Sequence, residues 1–366
     1  MNQKKFFFVL FFGVFLCLVC HQVLFAGGWD NLNKRKGAEA MVCVTVVDAD
    51  GKPVKDAPVK GYFYLYTRGA VNHDTALTDA EGKASVKGMC SSYDLIVELK
   101  KEGYYTTEEN IDMLGKDYPG DGIVGVKKDK WQPYGIQKTY VFKEIRNPVP
   151  MVVFNNSTLA APELDREYGY DLEYGSFVEP YGDGKVADFY VKYTWDERER
   201  KEKPGVLNTI TLTIRFPNEK DGAYAFPMDV FSQFKSPYRA DPDAEYAREL
   251  VYSSVWEKDE EGVDELVQHT AMLPKSQGLV LRTRSVVDAT GTLVSAHYSK
   301  IYGGIHLDLG TRGRKRYGIG ERTGDRITTF YNPVENDTNL ECDGKVHDEL
   351  QKGKRYNERW GILMAL

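Results

Sequence analysis

Apolar and polar residues alternate with a period of two along much of this chain. The clearest examples are segments 42–47, 93–99 and 209–216. Successive side chains of a β-strand point to opposite faces of the sheet, so this alternation predicts half-buried strands. Glycine and proline interrupt the segments at intervals of roughly 8–15 residues, which is typical of all-β sandwiches and barrels. The best helical candidate is a short segment at 243–251, which follows Asp241-Pro242.

A recurring turn motif separates several of the predicted strands. Residues 48–52 and 79–83 both read Asp-Ala-acid-Gly-Lys, and residues 288–291 read Asp-Ala-Thr-Gly. Glycine takes positive φ without steric cost and aspartate accepts hydrogen bonds from nearby backbone amides, so each motif predicts a tight turn. The third motif predicts a hairpin between strands at 279–287 and 292–302.

The first two turns and the strands beside them resemble a known family. Residues 46–59, the turn at 79–83 and the Gly103-Tyr104 pair are similar to carboxypeptidase regulatory-like domains, a resemblance that covers residues 41–107. The resemblance implies a small Ig-like β-sandwich that accompanies other domains and has no catalytic residues of its own. Parts of the remaining chain, such as 147–195, resemble exported bacterial proteins, and that resemblance implies no activity.

Composition divides the chain into a leader and two β domains. Residues 108–135 are rich in glycine and charge, which predicts a long loop, and the prolines at 147–151 disfavour both helix and strand pairing. The predicted fold is all-β, with a small Ig-like β-sandwich followed by a larger, jelly-roll-like β-sandwich. The predicted segments are a leader at 1–26, a linker at 27–40, a small domain at 41–146 with its loop at 108–135, and a second all-β domain at 147–366.

The first 26 residues have the layout of a secretory signal peptide. Two lysines precede an apolar run at 6–25, and Ala26 is a small residue suited to cleavage. A retained membrane anchor is the alternative, since the run approaches the ~20 residues that span a bilayer. His21 and Gln22 shorten its apolar core and favour cleavage. We therefore expect a periplasmic, cell-surface or secreted protein with no membrane span after cleavage.

The charge balance bears on the class of partner. The chain carries a net charge of −6, and loss of the leader with its two lysines brings this to −8. A nucleic-acid partner requires a basic face, so we predict no nucleic-acid partner. The most basic segment is either a solvated loop or a surface for an anionic polysaccharide, a lipid headgroup or an acidic protein. Its members are Arg312, Arg314, Lys315, Arg316, Arg322 and Arg326.

Three cysteines remain after the leader, namely Cys43, Cys90 and Cys342. An exported chain meets an oxidising environment, and an odd number leaves one thiol over. Cys43 and Cys90 lie in the same predicted domain, so we hypothesise a disulfide between them. The alternative is two buried thiols that pack as small apolar groups.

Familiar catalytic motifs are absent from the sequence. None of the six histidines stands three residues before a glutamate, as in zinc carboxypeptidases, and no Gly-x-Ser-x-Gly string occurs. We predict no metal site, no cofactor and no catalytic residue. The nearest approaches to metal-ligand sets, which we interpret as ordinary side chains, are His297 with His306 and Asp308, and Cys342 with Asp343 and His347.

An aromatic and acidic stretch is the best candidate for ligand binding. In a carbohydrate-binding face, rings stack on sugars while carboxylates accept hydrogen bonds from hydroxyl groups. The alternative is a solvated, tyrosine-rich strand edge. The residues concerned are Tyr168, Tyr170, Tyr174, Tyr181 and Asp183, and the second candidate surface is Arg312, Arg314 and Arg316.

Together these features predict a non-catalytic exported protein that either binds an extracellular ligand, such as a polysaccharide or a cell-envelope component, or forms part of a surface assembly. The larger domain is expected to carry the specificity. Two alternatives remain open. A glycan-active hydrolase requires two converging carboxylates in a cleft, one of them with a raised pKa. A purely structural envelope protein requires exposed apolar or strand-edge surface.

Overall fold

The structure, a computed structural model, contains β-strands and no helix among the residues that it describes, which confirms the predicted all-β class. In these residues there is also no helix long and apolar enough to cross a membrane. The chain divides into two compact units, Met1–Ile145 (unit 1) and Arg146–Leu366 (unit 2). The described residues are 37–65, 70–91, 94–112, 125–157, 161, 163–199, 206–258, 264–270, 273–274, 276–303, 307–308, 318–319 and 327–346.

The predicted leader and the basic residues Arg312, Arg314 and Arg316 lie outside the described residues. The division between the units falls beside the prolines at which the sequence predicts a boundary. The first strand begins at Ala38, inside the predicted linker.

The described strands of unit 1 form two sheets. In sheet A, β1 is antiparallel to β4 and parallel to β9, and it meets β8, which pairs with β7. Sheet B has the order β3-β2-β5-β6 and is antiparallel throughout. The strands are β1 (Ala38–Val47), β2 (Pro58–Leu65), β3 (Ala70–Leu77), β4 (Lys83–Cys90), β5 (Asp94–Leu99), β6 (Thr107–Asp112), β7 (Gly125–Lys127), β8 (Lys130–Gln132) and β9 (Ile136–Val141).

Unit 1 is a sandwich because the apolar faces of its two sheets pack on each other. Val42 and Val44 of β1 point inward, and they share one core with Phe63 and Val97 of sheet B. This is the burial that the period of two predicts, since one face of each strand is removed from water and the other is not.

The interpretation of residues 108–135 as a loop is wrong in the parts that the structure describes, where β6, β7 and β8 lie. The sequence of β6 lacks the alternation expected of a strand, because one of its inward-pointing residues is polar. Glu109 is buried, and its carboxylate accepts hydrogen bonds from Lys138 Nζ at 2.6 Å and Tyr140 OH at 2.7 Å. A buried acid with such partners replaces the apolar residue that the pattern requires.

The three Asp-Ala-x-Gly motifs form the same turn. In each, the amides two and four residues after the aspartate donate to its Oδ1. The glycines Gly51, Gly82 and Gly291 have φ of 78°, 73° and 81°. The aspartate carbonyl accepts from the glycine amide in all three turns. A local sequence of five residues therefore dictates each turn, because capping and positive φ are both satisfied within it.

The predicted disulfide between Cys43 and Cys90 is wrong, because no disulfide joins the two cysteines. On the β1–β4 ladder, Cys43 lies opposite Ser85, whereas Cys90 lies opposite Ala38. Five residue positions separate the two sites, which is about 16 Å along a strand, far beyond the Cα separation that a disulfide bridges. An odd separation also places the two side chains on opposite faces of sheet A.

The described strands of unit 2 form two six-stranded sheets and a short pair. Sheet C has the order β15-β18-β19-β22-β10-β23, sheet D has the order β12-β11-β13-β14-β16-β17, and β20 pairs with β21. The strands are β10 (Val149–Ser157), β11 (Glu167–Asp171), β12 (Ser176–Phe177), β13 (Phe189–Glu199), β14 (Val206–Arg215), β15 (Gly222–Pro227), β16 (Glu249–Lys258), β17 (Asp264–Thr270), β18 (Gln277–Val287), β19 (Leu293–Tyr302), β20 (Leu307–Asp308), β21 (Gly318–Ile319), β22 (Ile327–Tyr331) and β23 (Cys342–Val346).

Sheet C is covered on both faces. One face packs against sheet D through residues such as Leu281, Ile301 and Tyr331. The other face packs under the irregular segment 228–247, which contributes Ala240 and Tyr246 to a second core. Both faces of sheet C are therefore buried, which explains why the consecutive residues Leu279, Val280 and Leu281 of β18 are all apolar and buried.

The predicted helix at 243–251 is wrong. Residues 243–248 are irregular apart from an isolated bridge between Ala247 and Ala223, and β16 begins at Glu249. The β16 strand pairs with β14 over ten residues, from Val206–Lys258 to Arg215–Glu249. An isolated helix of nine residues is only marginally stable. The long pairing of β16 with β14 and the burial of Tyr246 stabilise the observed conformation more.

Candidate functional site

A buried arginine connects the two sheets of unit 2. Arg284 lies in β18 where the pairing with β19 shifts register, between Thr283 and Val286. Its φ is 53°, an uncommon conformation for a residue with a side chain. A bulge of this kind changes the direction of a side chain. The guanidinium of Arg284 consequently reaches from sheet C to the acidic residues of sheet D.

Three carboxylates bind this guanidinium. Nε and Nη2 donate to the two oxygens of Asp188 at 2.9 and 3.2 Å, Nη2 also donates to Asp171 at 2.9 Å, and Nη1 donates to Glu173 at 2.7 Å. The side chains of Asp171 and Asp188 are 0% exposed, against 19% for Arg284 and 28% for Glu173. We call these four residues the Arg284 cluster.

The aspartates of the cluster also hold the backbone of segment 172–187. Asp171 accepts hydrogen bonds from the amides of Glu173 and Tyr174 near the start of the segment, at 2.9 and 3.3 Å. It also accepts from the amides of Lys185 and Val186 near the end, at 2.7 and 3.0 Å. A single carboxylate therefore ties the two ends of the segment together.

Burial shifts the pKa of Asp188 in the cluster and the pKa of Tyr331 beside it. Burial raises the pKa of Asp188 to about 6, although the adjacent charge of Arg284 acts in the opposite direction. Burial also raises the pKa of Tyr331, whose ring centroid lies 4.9 Å from the Arg284 guanidinium carbon. The hydroxyl of Tyr331 is buried and has no hydrogen-bond partner among the described residues.

The cluster has the converging carboxylates and the raised pKa that a glycan hydrolase requires. Its two aspartates, however, are not exposed to a substrate. Both aspartates are fully buried, and their oxygens accept hydrogen bonds from Arg284 and from backbone amides. Buried carboxylates saturated in this way connect parts of a fold. The geometry therefore assigns Asp171 and Asp188 to holding sheet C, sheet D and segment 172–187 together.

The candidate tyrosines divide between the interior and the surface. Tyr168 and Tyr170 are buried, and the Tyr170 ring stacks on Phe189 with centroids 5.3 Å apart. They occupy alternate positions of β11 that point inward, which corrects the expectation that both belong to an exposed face. Tyr174 is half-buried, whereas Asp183 is exposed and Tyr181 is 38% exposed.

Tyr181 lies on a small mixed surface carried by segment 172–187. Its amide donates to the carbonyl of Val178, which closes a turn. The Arg166 guanidinium carbon is 5.0 Å from the Tyr181 ring centroid, and Lys185 forms an ion pair with Glu179. We call Arg166, Glu179, Tyr181, Asp183 and Lys185 the Tyr181 surface. It combines one aromatic ring with two cations and two anions, so its formal charges cancel.

The remaining candidate residues form no common site among the described residues. His297 stacks on Tyr331 with centroids 5.5 Å apart, and its Nδ1 lies 3.3 Å from the carbonyl oxygen of Asn332. His306 and His347 lie outside the described residues. Within the ranges given above, no three His, Cys, Asp or Glu side chains are placed to hold a metal ion.

Sequence reasoning missed Arg284, Asp188 and Lys300. Lys300 is buried, and its Nζ donates to the carbonyl of Leu340 and to Tyr302 OH, both at 2.7 Å. Arg284 and Lys300 lie in β18 and β19, which hold several other polar residues, so neither position stands out in the sequence. Charged residues are rarely buried without partners, but the sequence does not tell which charged residues of a mixed strand are buried.

No family model and no curated protein matches this chain. Among solved structures, 3-chlorocatechol 1,2-dioxygenase from Rhodococcus opacus 1CP is similar at 16% identity and a TM-score of 0.22, over 29% of this chain and 59% of the dioxygenase. The Streptococcal ancillary pilin is similar at 11% identity and a TM-score of 0.19, over 78% of this chain and 63% of the pilin. BcpA, the major pilin subunit of Bacillus cereus, has the same identity of 11% and TM-score of 0.19, over 77% of this chain and 96% of BcpA. At these TM-scores the similarities carry no functional argument.

Proposed function

We propose that this chain is an exported, non-catalytic protein that binds a polysaccharide or another cell-envelope component through unit 2. The observation that carries the proposal is the position of the Tyr181 surface. All of its residues except Arg166 lie on segment 172–187, whose two ends are held by the buried carboxylate of Asp171. A surface fixed in advance loses little conformational freedom on binding, which favours recognition.

The chemistry of the Tyr181 surface suits a neutral saccharide. Sugar hydroxyl groups both donate and accept hydrogen bonds, so they pair with carboxylates and with cationic donors alike. The surface offers both, from Asp183 and Glu179 on one side and Arg166 and Lys185 on the other. Tyr181 adds an amphipathic ring, which suits a partner with apolar and polar edges.

Unit 1 is the proposed spacer or adaptor of the molecule. Its supporting features are a core of its own and the two Asp-Ala-x-Gly turns, which occur in the region that resembles carboxypeptidase regulatory-like domains. In this proposal unit 1 separates or attaches the binding domain, whereas unit 2 recognises the ligand.

The test is binding of the chain without its leader to a panel of neutral polysaccharides and to purified cell-envelope fractions. Saturable binding is expected, and Tyr181→Ala is expected to weaken it about tenfold, which corresponds to ~1.4 kcal/mol. The matched control is Tyr190→Ala. Tyr190 is half-buried, has the Arg215 guanidinium carbon 4.8 Å from its ring centroid, and lies outside segment 172–187. Absence of binding to every polymer and fraction, or equal loss in both variants, contradicts the proposal.

A glycan-active hydrolase is the second candidate, and the raised pKa of Asp188 is the observation that favours it. The same panel tests this candidate by release of reducing ends. Turnover that disappears in Asp188→Asn but survives in Tyr181→Ala supports hydrolysis and overturns the binding role. We expect no turnover, because the Asp188 side chain is 0% exposed.

A further inference from the structure

The Arg284 cluster contains more negative than positive charge. Three carboxylates meet one guanidinium, so the fully ionised cluster carries a net charge of −2 in a site largely removed from water. An uncompensated charge in the interior is costly, and uptake of a proton relieves it. The groups that face Asp188 are Asp171 of β11, Glu173 of the next turn, Arg284 of β18 and Tyr331 of β22, with His297 of β19 stacked on Tyr331.

Asp188 is the member of the cluster that accepts this proton. Hydrogen bonds to a carboxylate favour its charged form, and Asp171 accepts four from backbone amides, whereas Asp188 accepts one, from Leu172. Glu173 is 28% exposed, whereas Asp188 is 0% exposed. Burial of Asp188, which raises its pKa to about 6, is consistent with this order.

We propose that the Arg284 cluster is a proton-dependent latch, in which protonation of Asp188 favours the packed position of segment 172–187 and deprotonation favours its opening. Opening of the segment breaks the bond from the Leu172 amide to Asp188 and admits water to the carboxylate. The packed form therefore binds the proton more tightly than the open form does. By linkage, acid favours the packed form, and this advantage is lost as the pH rises through about 6.

This latch concerns the segment that carries the Tyr181 surface, but its operation does not depend on what that surface binds. The test measures amide hydrogen exchange in the chain without its leader, at pH 5.0 and 7.5, with each rate corrected for the intrinsic effect of pH. The informative amides are those of Glu173, Tyr174, Lys185 and Val186, which donate to Asp171. We expect their protection to be about tenfold greater at pH 5.0, since a folded pKa of about 6 gives no larger ratio between these two pH values.

The internal control is the turn at Asp288. The amides of Thr290 and Thr292 donate to the Asp288 carboxylate in the same manner. Hydrogen bonds from Thr290 and Thr292 lower the pKa of Asp288, so this carboxylate stays ionised at both pH values. The corrected protection of these amides is expected to be equal at pH 5.0 and 7.5.

Two variants complete the test. Asp188→Asn is expected to abolish the pH dependence of segment 172–187. Glu173→Gln removes one negative charge at a partly exposed position, so it is expected to move the transition to lower pH while the fold is retained. Equal protection of the wild-type segment at both pH values overturns the latch. The same pH dependence in Asp188→Asn, or an unchanged transition in Glu173→Gln, assigns the proton elsewhere and also overturns it.

Discussion

Three cations of unit 2 lie inside the protein, and each joins segments that are distant in sequence. Arg284 connects sheet C to sheet D, and Lys300 connects β19 to the carbonyl of Leu340. Arg282 donates to the carbonyls of Lys220 and Pro242 at 2.6 and 2.8 Å. Breaking a buried charge pair costs more than forming it contributes, because the remaining partner stays desolvated. These residues therefore make unit 2 sensitive to single substitutions.

Removal of Arg284 is expected to be strongly destabilising. Arg284→Met leaves the buried carboxylates of Asp171 and Asp188 without their cation, at a cost of roughly 3–5 kcal/mol of unfolding free energy. The matched control is Arg198→Met, since Arg198 pairs with Asp196 on the exposed part of β13 and such a pair contributes less than about 1 kcal/mol. Urea unfolding measures both variants. Equal effects of the two substitutions contradict a structural role for the Arg284 cluster.

The stability of unit 2 is expected to increase as the pH falls from 7.5 to 5. The pKa of Asp188 is raised from 3.8 in the unfolded chain to about 6 in the fold, so the native state binds the extra proton in this window. The contribution is about 1 kcal/mol over the window, gained as acid is added and lost as the pH rises through 6. Urea midpoints at the two pH values measure it. Asp188→Asn is the comparison, and an identical change in that variant refutes the assignment.

At the scale of single elements, the three Asp-Ala-x-Gly turns have the same backbone geometry but different surroundings. A Cβ on Gly82 would lie 2.4 Å from the carbonyl oxygen of Val46, whereas Gly51 has nothing within 4 Å of that position. Gly291 has only Glu219 Oε1, at 4.0 Å. The local motif therefore determines the conformation of the turn, and the tertiary structure determines how much space surrounds it.

Alanine substitutions in these turns are expected to separate the two effects. Gly51→Ala and Gly291→Ala incur only the cost of positive φ, about 1 kcal/mol each. Gly82→Ala adds a steric clash with backbone, which brings its cost to roughly 3 kcal/mol or more. Thermal or urea unfolding of the three variants gives the comparison. Three equal losses of stability contradict the close packing at Gly82.

The edge strand β4 of sheet A is covered by side chains of β3, which lies at the edge of sheet B. Asp74 of β3 accepts a hydrogen bond from the amide of Lys87 in β4 at 2.9 Å, and Asn72 donates to the carbonyl of Met89 at 3.3 Å. Occupied edge groups are unavailable to an added strand, which is how natural sandwiches limit edge-to-edge association. This edge of sheet A therefore offers little to an assembly that grows by strand addition.

At the scale of the whole molecule, each unit has its own hydrophobic core. Trp131 and Phe63 lie in the core of unit 1, and Tyr193 and Ile301 lie in the core between sheets C and D. Fragments 37–145 and 146–366 are therefore each expected to fold alone, because a compact unit with its own core meets the requirement for independent folding. Chemical unfolding, followed by circular dichroism, is expected to be cooperative for each fragment. A fragment without a cooperative transition contradicts this division.

The class of fold and the local geometry of the turns follow from the amino-acid sequence alone. Period-two alternation places one face of a strand in the core, and the aspartate and glycine of each turn motif satisfy their own backbone. Strand alternation and turn motifs depend only on residues that are close in sequence, so both can be predicted without a structure. The same local reading missed β6, because the inward position of Glu109 is polar.

Which side chains contact each other depends on the three-dimensional packing. Arg284 and Asp188 are 96 positions apart, and the register shift in β18 brings them together. Register likewise separates Cys43 from Cys90, and the packing of sheet D on sheet C buries Tyr170. Composition reports which groups are present, whereas strand order, register and burial fix their partners and their pKa values. Those quantities depend on long-range packing, which no local pattern encodes.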